Sequence, residues 1–174
     1  MINQDDRFYI MRIGKKSWVI VEILGVLIAS IIWIFLINVM GCIASAGNMD
    51  WTDWRIYPNN MACMLIYLMG YTCIGLAVLL FHLLNIKALG TAIITTLMLL
   101  ERFILYVLPN NIGLFLEDEK MVKVVNMVKK VTFMGRLESG YLSNNLHSSI
   151  IYFGVLAAVL IALNLIYVKK HEIG

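Results

Sequence analysis

The sequence predicts an all-α polytopic membrane protein with about four transmembrane helices. Of its 174 residues, 61% are hydrophobic and 14% are charged, whereas soluble domains average about 45–50% apolar and about 25% charged residues. The mean hydropathy is +0.83. The apolar residues also lie in runs that match the roughly 30 Å thickness of a hydrocarbon core, rather than in amphipathic stripes. Lipid is therefore the predicted solvent for most of the chain.

Four apolar runs are each long enough for one crossing. A charged lead-in at 1–16 precedes the first run, and a tail at 169–174 follows the last. The second and third runs are separated by only a few residues around Lys87, which predicts an antiparallel hairpin. The predicted crossings are 17–41, 61–84, 85–108 and 148–168, which together form a transmembrane domain over 17–168. A cleaved signal peptide is an alternative for the first run, because "ASA" at 44–46 imitates a cleavage site.

The distribution of Lys and Arg predicts the orientation of the crossings. Lysines and arginines cluster in the lead-in, at Lys87 and at the start of the tail. Most of those predicted on the opposite side belong to the long segment 109–147, and long loops count less in the positive-inside rule. The sequence therefore predicts a multi-pass protein of the cell membrane with both termini in the cytoplasm.

The segment 109–147 predicts an outer amphipathic helix between the last two crossings. Within "EKMVKVVNMVKKVT", polar residues recur at helical spacing from Glu119 to Lys130, and Met and Val fill the other side. The valines also favour strands, so a short β-hairpin is an alternative. The stretch "SGYLSNNLHSS" at 139–149 is rich in Gly, Asn and Ser, which predicts a break before the fourth crossing.

No pattern indicates an enzyme, a metal site or a cofactor site. The sequence contains no GxSxG, HExxH or phosphate-binding glycine loop. Its three cysteines form no CxxC pair, although a bridge between Cys42 and Cys63 is open. The net charge of +3 follows from the basic residues beside the apolar runs, so nucleic acid is not an expected partner.

Ionisable residues within or beside the crossings are the candidate polar contacts. They are Glu22, Glu101 and Arg102. Glu22 lies near the inner end of the first crossing, where reaching the interface is favoured over a contact inside the bundle. Glu101 and Arg102 are adjacent and project about 100° apart on a helix, so each needs a different partner. Their predicted place is the outer interface, where a structural hinge is favoured over a role on a substrate path.

The order of elements resembles the later part of the ABC-2 type permeases, the membrane subunits of ATP-driven exporters. The features that carry the resemblance are the lead-in "DDRFYIMRIGKKSW", the hairpin, the amphipathic segment and the ending "YVKKHEIG". The resemblance implies a bacterial exporter that moves a peptide, drug or lipid-like substrate, with ATP hydrolysed by a separate cytoplasmic subunit. The implied coupling surface comprises Arg7, Arg12, Lys15 and Lys16.

Such permeases usually have six crossings, so four imply a shortened subunit that needs another membrane subunit or a second copy of itself. Two alternative functions remain open. The scarcity of charge in mid-membrane favours a small accessory or regulatory subunit of a larger complex. An oligomeric secondary transporter or channel is the other alternative, and discontinuous helices or an acidic residue at the midplane would favour it.

Overall fold

A computed structural model describes residues 14–45, 56–107, 119–137 and 139–172. These ranges are helical almost throughout and contain no strand. The helices are α1 (Lys15–Ser45), α2 (Ile56–Leu83), α3 (Lys87–Arg102) with a π-helical turn at Phe103–Val107, α4 (Glu119–Val131), α5 (Phe133–Leu137) and α6 (Ser139–Glu172). Four of them, α1, α2, α3 with its π-helical turn, and α6, are long and apolar enough to cross a membrane. The predicted all-α, multi-pass membrane protein is confirmed.

Helix α2 lies at the centre of the bundle and packs against α1, α3, α5 and α6. The first half of α2 packs against the first half of α6 in a cluster around Ile66 and Phe153. The end of α2 packs against the end of α6 and the start of α1, in a second cluster around Trp18 and Val168. Helices α2 and α6 therefore run parallel, and α1 runs antiparallel to both.

This topology brings the start of α1, the turn between α2 and α3, and the end of α6 to one end of the bundle. The Trp18 and His82 rings pack there with their centroids 6.2 Å apart. We call this the lysine end, because it carries Lys15, Lys16, Lys87, Lys169 and Lys170.

Two interhelical hydrogen bonds join α2 to α6 inside the bundle. The fully buried Asn164 donates through Nδ2 to the Leu76 carbonyl at 3.2 Å. The buried Cys73 thiol donates to the Phe153 carbonyl, with an Sγ to oxygen distance of 3.5 Å. In lipid the hydrophobic effect does not drive helices together, so such bonds, worth about 0.6–2 kcal/mol each, add to close packing. They fix the rotation of α6 against α2.

Helix α1 has one narrow contact face and is otherwise exposed. Val19, Ser30 and Ile34 are buried along one side of it, and Val26 lies against Gly75 of α2. Only 11% of the span in α1 is buried, and its exposed residues are mostly large and apolar. That surface suits contact with lipid chains.

The predicted hairpin between the second and third crossings begins with a Schellman turn. The Asn85 N–H donates to the His82 carbonyl and the Ile86 N–H to the Phe81 carbonyl, both at 3.0 Å. Asn85 has a φ of +59°, in the left-handed region that Asn tolerates better than most residues. Helix α3 can then pack closely on α2, because Gly90 presents no side chain to the Phe81 ring.

Two details predicted between the last crossings are wrong. Residues 139–149 do not break the helix, because α6 begins at Ser139 and continues through them. Ser and Asn are weak helix formers rather than breakers, and Leu146 and Ile150 gain burial against the Phe153 cluster. The apolar part of α6, Leu146–Lys170, begins close to the predicted start of the fourth crossing at 148. The β-hairpin alternative also fails, since 119–131 is helical.

Replacing Gly90 with Ala tests the close α2–α3 contact. A Cβ at Gly90 would overlap the root of the Phe81 ring, which cannot swing away as a flexible side-chain end can. We expect Gly90→Ala to lower the free energy of unfolding by about 1–3 kcal/mol, the usual cost of overpacking. Thermal unfolding of the purified chain in detergent measures the effect.

Gly25→Ala is the matched control, because a Cβ at Gly25 meets no atom within 4 Å. It should be neutral or slightly stabilising, since Ala favours a helix over Gly. Equal effects of the two substitutions would contradict the packing argument.

Candidate functional site

The end of α3 is joined to α5 through the Glu101 carboxylate. Glu101 Oε2 accepts a 2.8 Å hydrogen bond from the Met134 backbone N–H. Met134 lies in the first turn of α5, where backbone N–H groups have no partner within their own helix. A carboxylate at that position also interacts favourably with the positive end of the helix dipole. Glu101 therefore caps a helix that lies 33 residues further along the chain.

Arg136 joins the other side of α5 to α6. Its Nη1 donates to Ser148 Oγ at 2.8 Å, and its guanidinium carbon lies 5.2 Å from the centre of the Tyr152 ring. The second contact is a cation–π interaction. We call the group formed by Glu101, Met134, Arg136, Ser148 and Tyr152 the polar corner.

The polar corner lies directly on the hydrophobic cluster between α2 and α6. The Tyr152 ring packs edge-on against Phe153 at a centroid distance of 5.2 Å. Phe153 is fully buried and packs edge-on against Phe133 of α5, again at 5.2 Å. Edge-to-face pairs at such distances are favourable beyond the area that they bury. Both polar and aromatic contacts therefore attach α5 to the bundle.

The joint between α4 and α5 positions Arg136. Thr132 separates the two helices, yet the Arg136 N–H still donates to the Thr132 carbonyl at 3.1 Å. The chain bends so closely here that a Cβ at Gly135 would overlap the Lys129 backbone. A glycine is therefore needed one residue before the arginine.

The π-helical turn Phe103–Val107 begins directly after Arg102. Such turns insert an extra residue into a helix and are frequent at functional sites. Leu105 within this turn is buried, whereas Phe103 and Ile104 beside it are exposed. The turn therefore continues the third span beyond Arg102 while changing its periodicity next to the polar corner.

Two polar atoms near α5 are buried without a hydrogen-bond partner among the described residues. They are Arg136 Nε and Thr132 Oγ1. A water molecule or a small acceptor group would satisfy the Arg136 N–H, because buried polar groups normally have partners. The described residues contain no cluster of three or more His, Cys, Asp or Glu that could hold a metal ion. The contacts that the corner shows are hydrogen bonds and a cation–π interaction.

The structure places the predicted polar residues in different surroundings. Glu101 is half-buried in the polar corner, whereas Arg102 is exposed on a neighbouring face of α3, in line with their divergent directions on a helix. Glu22 is half-buried on α1, one turn beyond Trp18. It lies near the lysine end and does not approach the polar corner. Lys15 and Lys16 belong to the first turn of α1, while Arg7 and Arg12 lie outside the described residues.

A cleft of about 410 Å³ opens between α1 and α2. Apolar side chains, two tyrosines and Asn38 line it, and Asn38 Nδ2 is already bonded to the Ile34 carbonyl at 2.8 Å. Cys63 on its wall is a free thiol, and the Cys42 side chain, to which the sequence left a bridge open, lies outside the part of the chain that the structure describes. The cleft has the apolar lining and few polar groups typical of a site for a hydrophobic ligand.

No protein-family model, curated protein or solved structure matches this chain. The site is therefore interpreted from its own geometry. That geometry is a polar joint that fixes an amphipathic helix to the end of a transmembrane bundle.

The sequence did not predict Arg136, Ser148 or Tyr152 as partners at this site. The one feature of the sequence that could have indicated this site is Arg136, which follows a glycine shortly after a lysine- and valine-rich segment. The contact between Arg136 and Tyr152 depends on α6 starting at Ser139. Because the sequence predicted a break at 139–149, it did not predict this contact.

Removing the Glu101 carboxylate tests its capping role. Glu101→Leu leaves the Met134 N–H without its acceptor, which costs about 1–3 kcal/mol. Glu101→Gln keeps an oxygen acceptor and should lose less. We expect faster backbone amide hydrogen exchange across 133–137 in Glu101→Leu, measured by mass spectrometry on the purified chain.

Arg102→Gln serves as the control, because Arg102 is exposed on a different face of α3. It should leave exchange across 133–137 unchanged. Equal protection of this segment in Glu101→Leu and the unsubstituted chain would show that the carboxylate does not hold α5.

Proposed function

We propose that the chain is a membrane-embedded permease subunit of an ABC-type exporter, with ATP hydrolysed by a separate cytoplasmic subunit. The lysine end is the observation that carries this proposal. Three separate segments of the chain supply its five lysines, and the packing of Trp18, Val19 and Val168 holds two of these segments together. A firmly packed basic surface is suited to bind a partner of opposite charge.

The proposed orientation places the lysine end in the cytoplasm. The link that contains Lys87 is very short, and the basic residues that flank short links dominate the positive-inside rule. Movement of a bound ATPase would then act directly on the first turn of α1, the α2–α3 turn and the last turns of α6. The resemblance of the sequence to ABC-2 type permeases supports an ATP-hydrolysing subunit as this partner.

The cleft between α1 and α2 supports a hydrophobic substrate. It lies within the candidate spans and is lined mainly by apolar and aromatic side chains. A peptide, drug or lipid-like molecule that entered from the membrane would find apolar side chains to pack against in this cleft. Helix α1 could open the cleft at modest cost, because its contact with the rest of the chain is narrow.

An accessory subunit of a larger membrane complex is the second candidate function. The polar side chains described within the spans favour it, because several of them bond inside the bundle. Asn164 and Cys73 bond across α2 and α6, and Ser30 bonds to its own helix. These groups stabilise helix packing rather than line a common polar path.

Labelling of introduced cysteines tests the proposed orientation. Lys87→Cys lies at the lysine end and Lys123→Cys lies on the exposed surface of α4. We expect a membrane-impermeant maleimide to label position 123 in intact cells, and position 87 only in inverted vesicles. The unsubstituted chain supplies the background from native cysteines. The reverse pattern would place the lysine end outside and remove the proposed docking surface.

Co-purification in mild detergent tests the ATPase partner. We expect an ATP-hydrolysing subunit to purify with the chain, and its recovery to fall about fivefold or more when Lys169 and Lys170 are both replaced by Gln, since each lost surface charge pair contributes about 0.5–1 kcal/mol. The readouts are the mass spectrum of the eluate and its ATPase activity.

The matched control replaces Lys123 and Lys130, two exposed lysines of α4, by Gln. It should leave ATPase recovery unchanged. Equal loss in both double variants would contradict docking at the lysine end. Recovery of a membrane complex without any ATPase would instead favour the accessory function.

A further inference from the structure

Helix α3 has three faces with different chemistry. One face packs on the bundle through Gly90, Ile94, Met98 and Glu101. A second face is exposed and carries large aliphatic residues at helical spacing: Leu89, Ile93, Leu97, Leu100 and Ile104. The third face is also exposed and is formed by Ala88, Ala92, Thr95, Thr96, Leu99 and Arg102. We call this third face the threonine face.

Helix α1 shows what a lipid-facing surface looks like in this protein. The spans in α1 and α3 are equally poorly covered, with 11% of each buried. The exposed residues of α1 are mostly large and apolar, and its span has a mean hydropathy of 2.8, compared with 1.7 for α3. The threonine face therefore departs from the composition that the same chain uses towards lipid.

The Arg102 guanidinium is the strongest reason to expect a protein on this face. Arg102 lies within the candidate span Lys87–Leu105 and is exposed. Arg102 is three residues from the end of this span, and a charge at that depth either reaches the interface or pairs with an opposite charge on a neighbouring protein. A shallow, open depression beside it is lined by Thr96, Leu99, Leu100 and Phe103. It provides a place for an apolar side chain of a partner next to the charge.

A second copy of this chain is a poor occupant of the threonine face. Copies in one membrane share an orientation, so a two-fold symmetric contact between two α3 helices would use the same surface of each. That contact would bring Arg102 close to the Arg102 of the other copy. Like charges placed together oppose association. The occupant must therefore supply a negative charge that this surface lacks.

We propose that the threonine face binds a transmembrane helix of a different chain, which carries one Asp or Glu at the depth of Arg102. Ala88 and Ala92 allow the two backbones to approach closely, as small residues do at membrane helix contacts. The Thr95 hydroxyl, which donates to the Thr91 carbonyl at 2.9 Å, can still accept a hydrogen bond from the partner. The inference deepens the proposed function by naming its second membrane subunit, but the contact does not involve the ATPase.

Zero-length crosslinking of an Arg102→Lys variant tests the proposal. A lysine keeps the positive charge and adds an amine that a carbodiimide joins to a carboxylate in contact with it. The full-length variant is treated in the membranes of its own cell, and the linked peptides are sequenced by mass spectrometry. We expect position 102 to be linked to an Asp or Glu within an apolar, span-length segment of another chain.

A charge swap at the mapped residue gives the quantitative readout. Arg102→Glu should lower recovery of the partner about tenfold, the ratio that corresponds to losing one favourable intramembrane pair. Replacing the partner's carboxylate by Arg in the same cell should restore recovery. Ile104→Ala, on the aliphatic face of α3, is the control and should leave recovery unchanged.

Three results would overturn the proposal. One is a link from position 102 to a second copy of this chain, or an Ala92→Cys disulfide that doubles its mass. Another is retention of anionic phospholipid that depends on Arg102, with no protein link. The third is failure of the charge swap to restore recovery. Because ATPase recovery is measured separately in the same eluate, loss of this inference is distinguishable from loss of the proposed function.

Discussion

The packing of α2 against α6 is the contact on which the other elements depend. The two helices are distant in sequence and run parallel, so no short link holds them together. In lipid, the hydrophobic effect does not drive helices together, and close packing and interhelical hydrogen bonds must do so. Asn164 and Cys73 supply such bonds across this interface, while Phe153 fills its centre. Helices α1, α3 and α5 then pack on α2.

The polar corner extends that interface to the segment between the third and fourth spans. Phe153 is shared, since its backbone carbonyl accepts the Cys73 thiol and its ring packs on Phe133. Glu101 and Arg136 then fix the two sides of α5 to α3 and α6. A helix of five residues has little stability of its own, so these tertiary contacts must hold it. Any movement of α3 relative to α6 would displace α5 and, through it, the amphipathic helix α4.

Different parts of the bundle surface differ in their chemical character, and this difference connects the fold to the proposed function. The lysine end carries positive charges from three segments, and the cleft between α1 and α2 is mainly apolar. The threonine face of α3 differs from both, because it consists mostly of small and weakly polar residues. The proposed contacts of these three surfaces are a cytoplasmic ATPase, a hydrophobic substrate and a second membrane subunit.

The sequence by itself determined the fold class, the number of spans and the helical segment between the last two. Those features follow from local constraints, because the hydrocarbon thickness sets the length of each apolar run and a helix satisfies the backbone groups of such a run within lipid. It also indicated that Glu101 and Arg102 would face different surroundings, since neighbours on a helix diverge by about 100°.

Only the tertiary structure decided where α6 begins and what Glu101 contacts. Residues 139–149 have the composition of a break, yet burial of Leu146 and Ile150 against a cluster formed by other helices outweighs their weak propensity. The Glu101 carboxylate and its donor at Met134 are 33 residues apart. The Cys73 thiol and its acceptor, the Phe153 carbonyl, are 80 residues apart. Such pairs depend on how each helix is rotated against its neighbours, and that rotation is a property of the packed bundle rather than of any single segment.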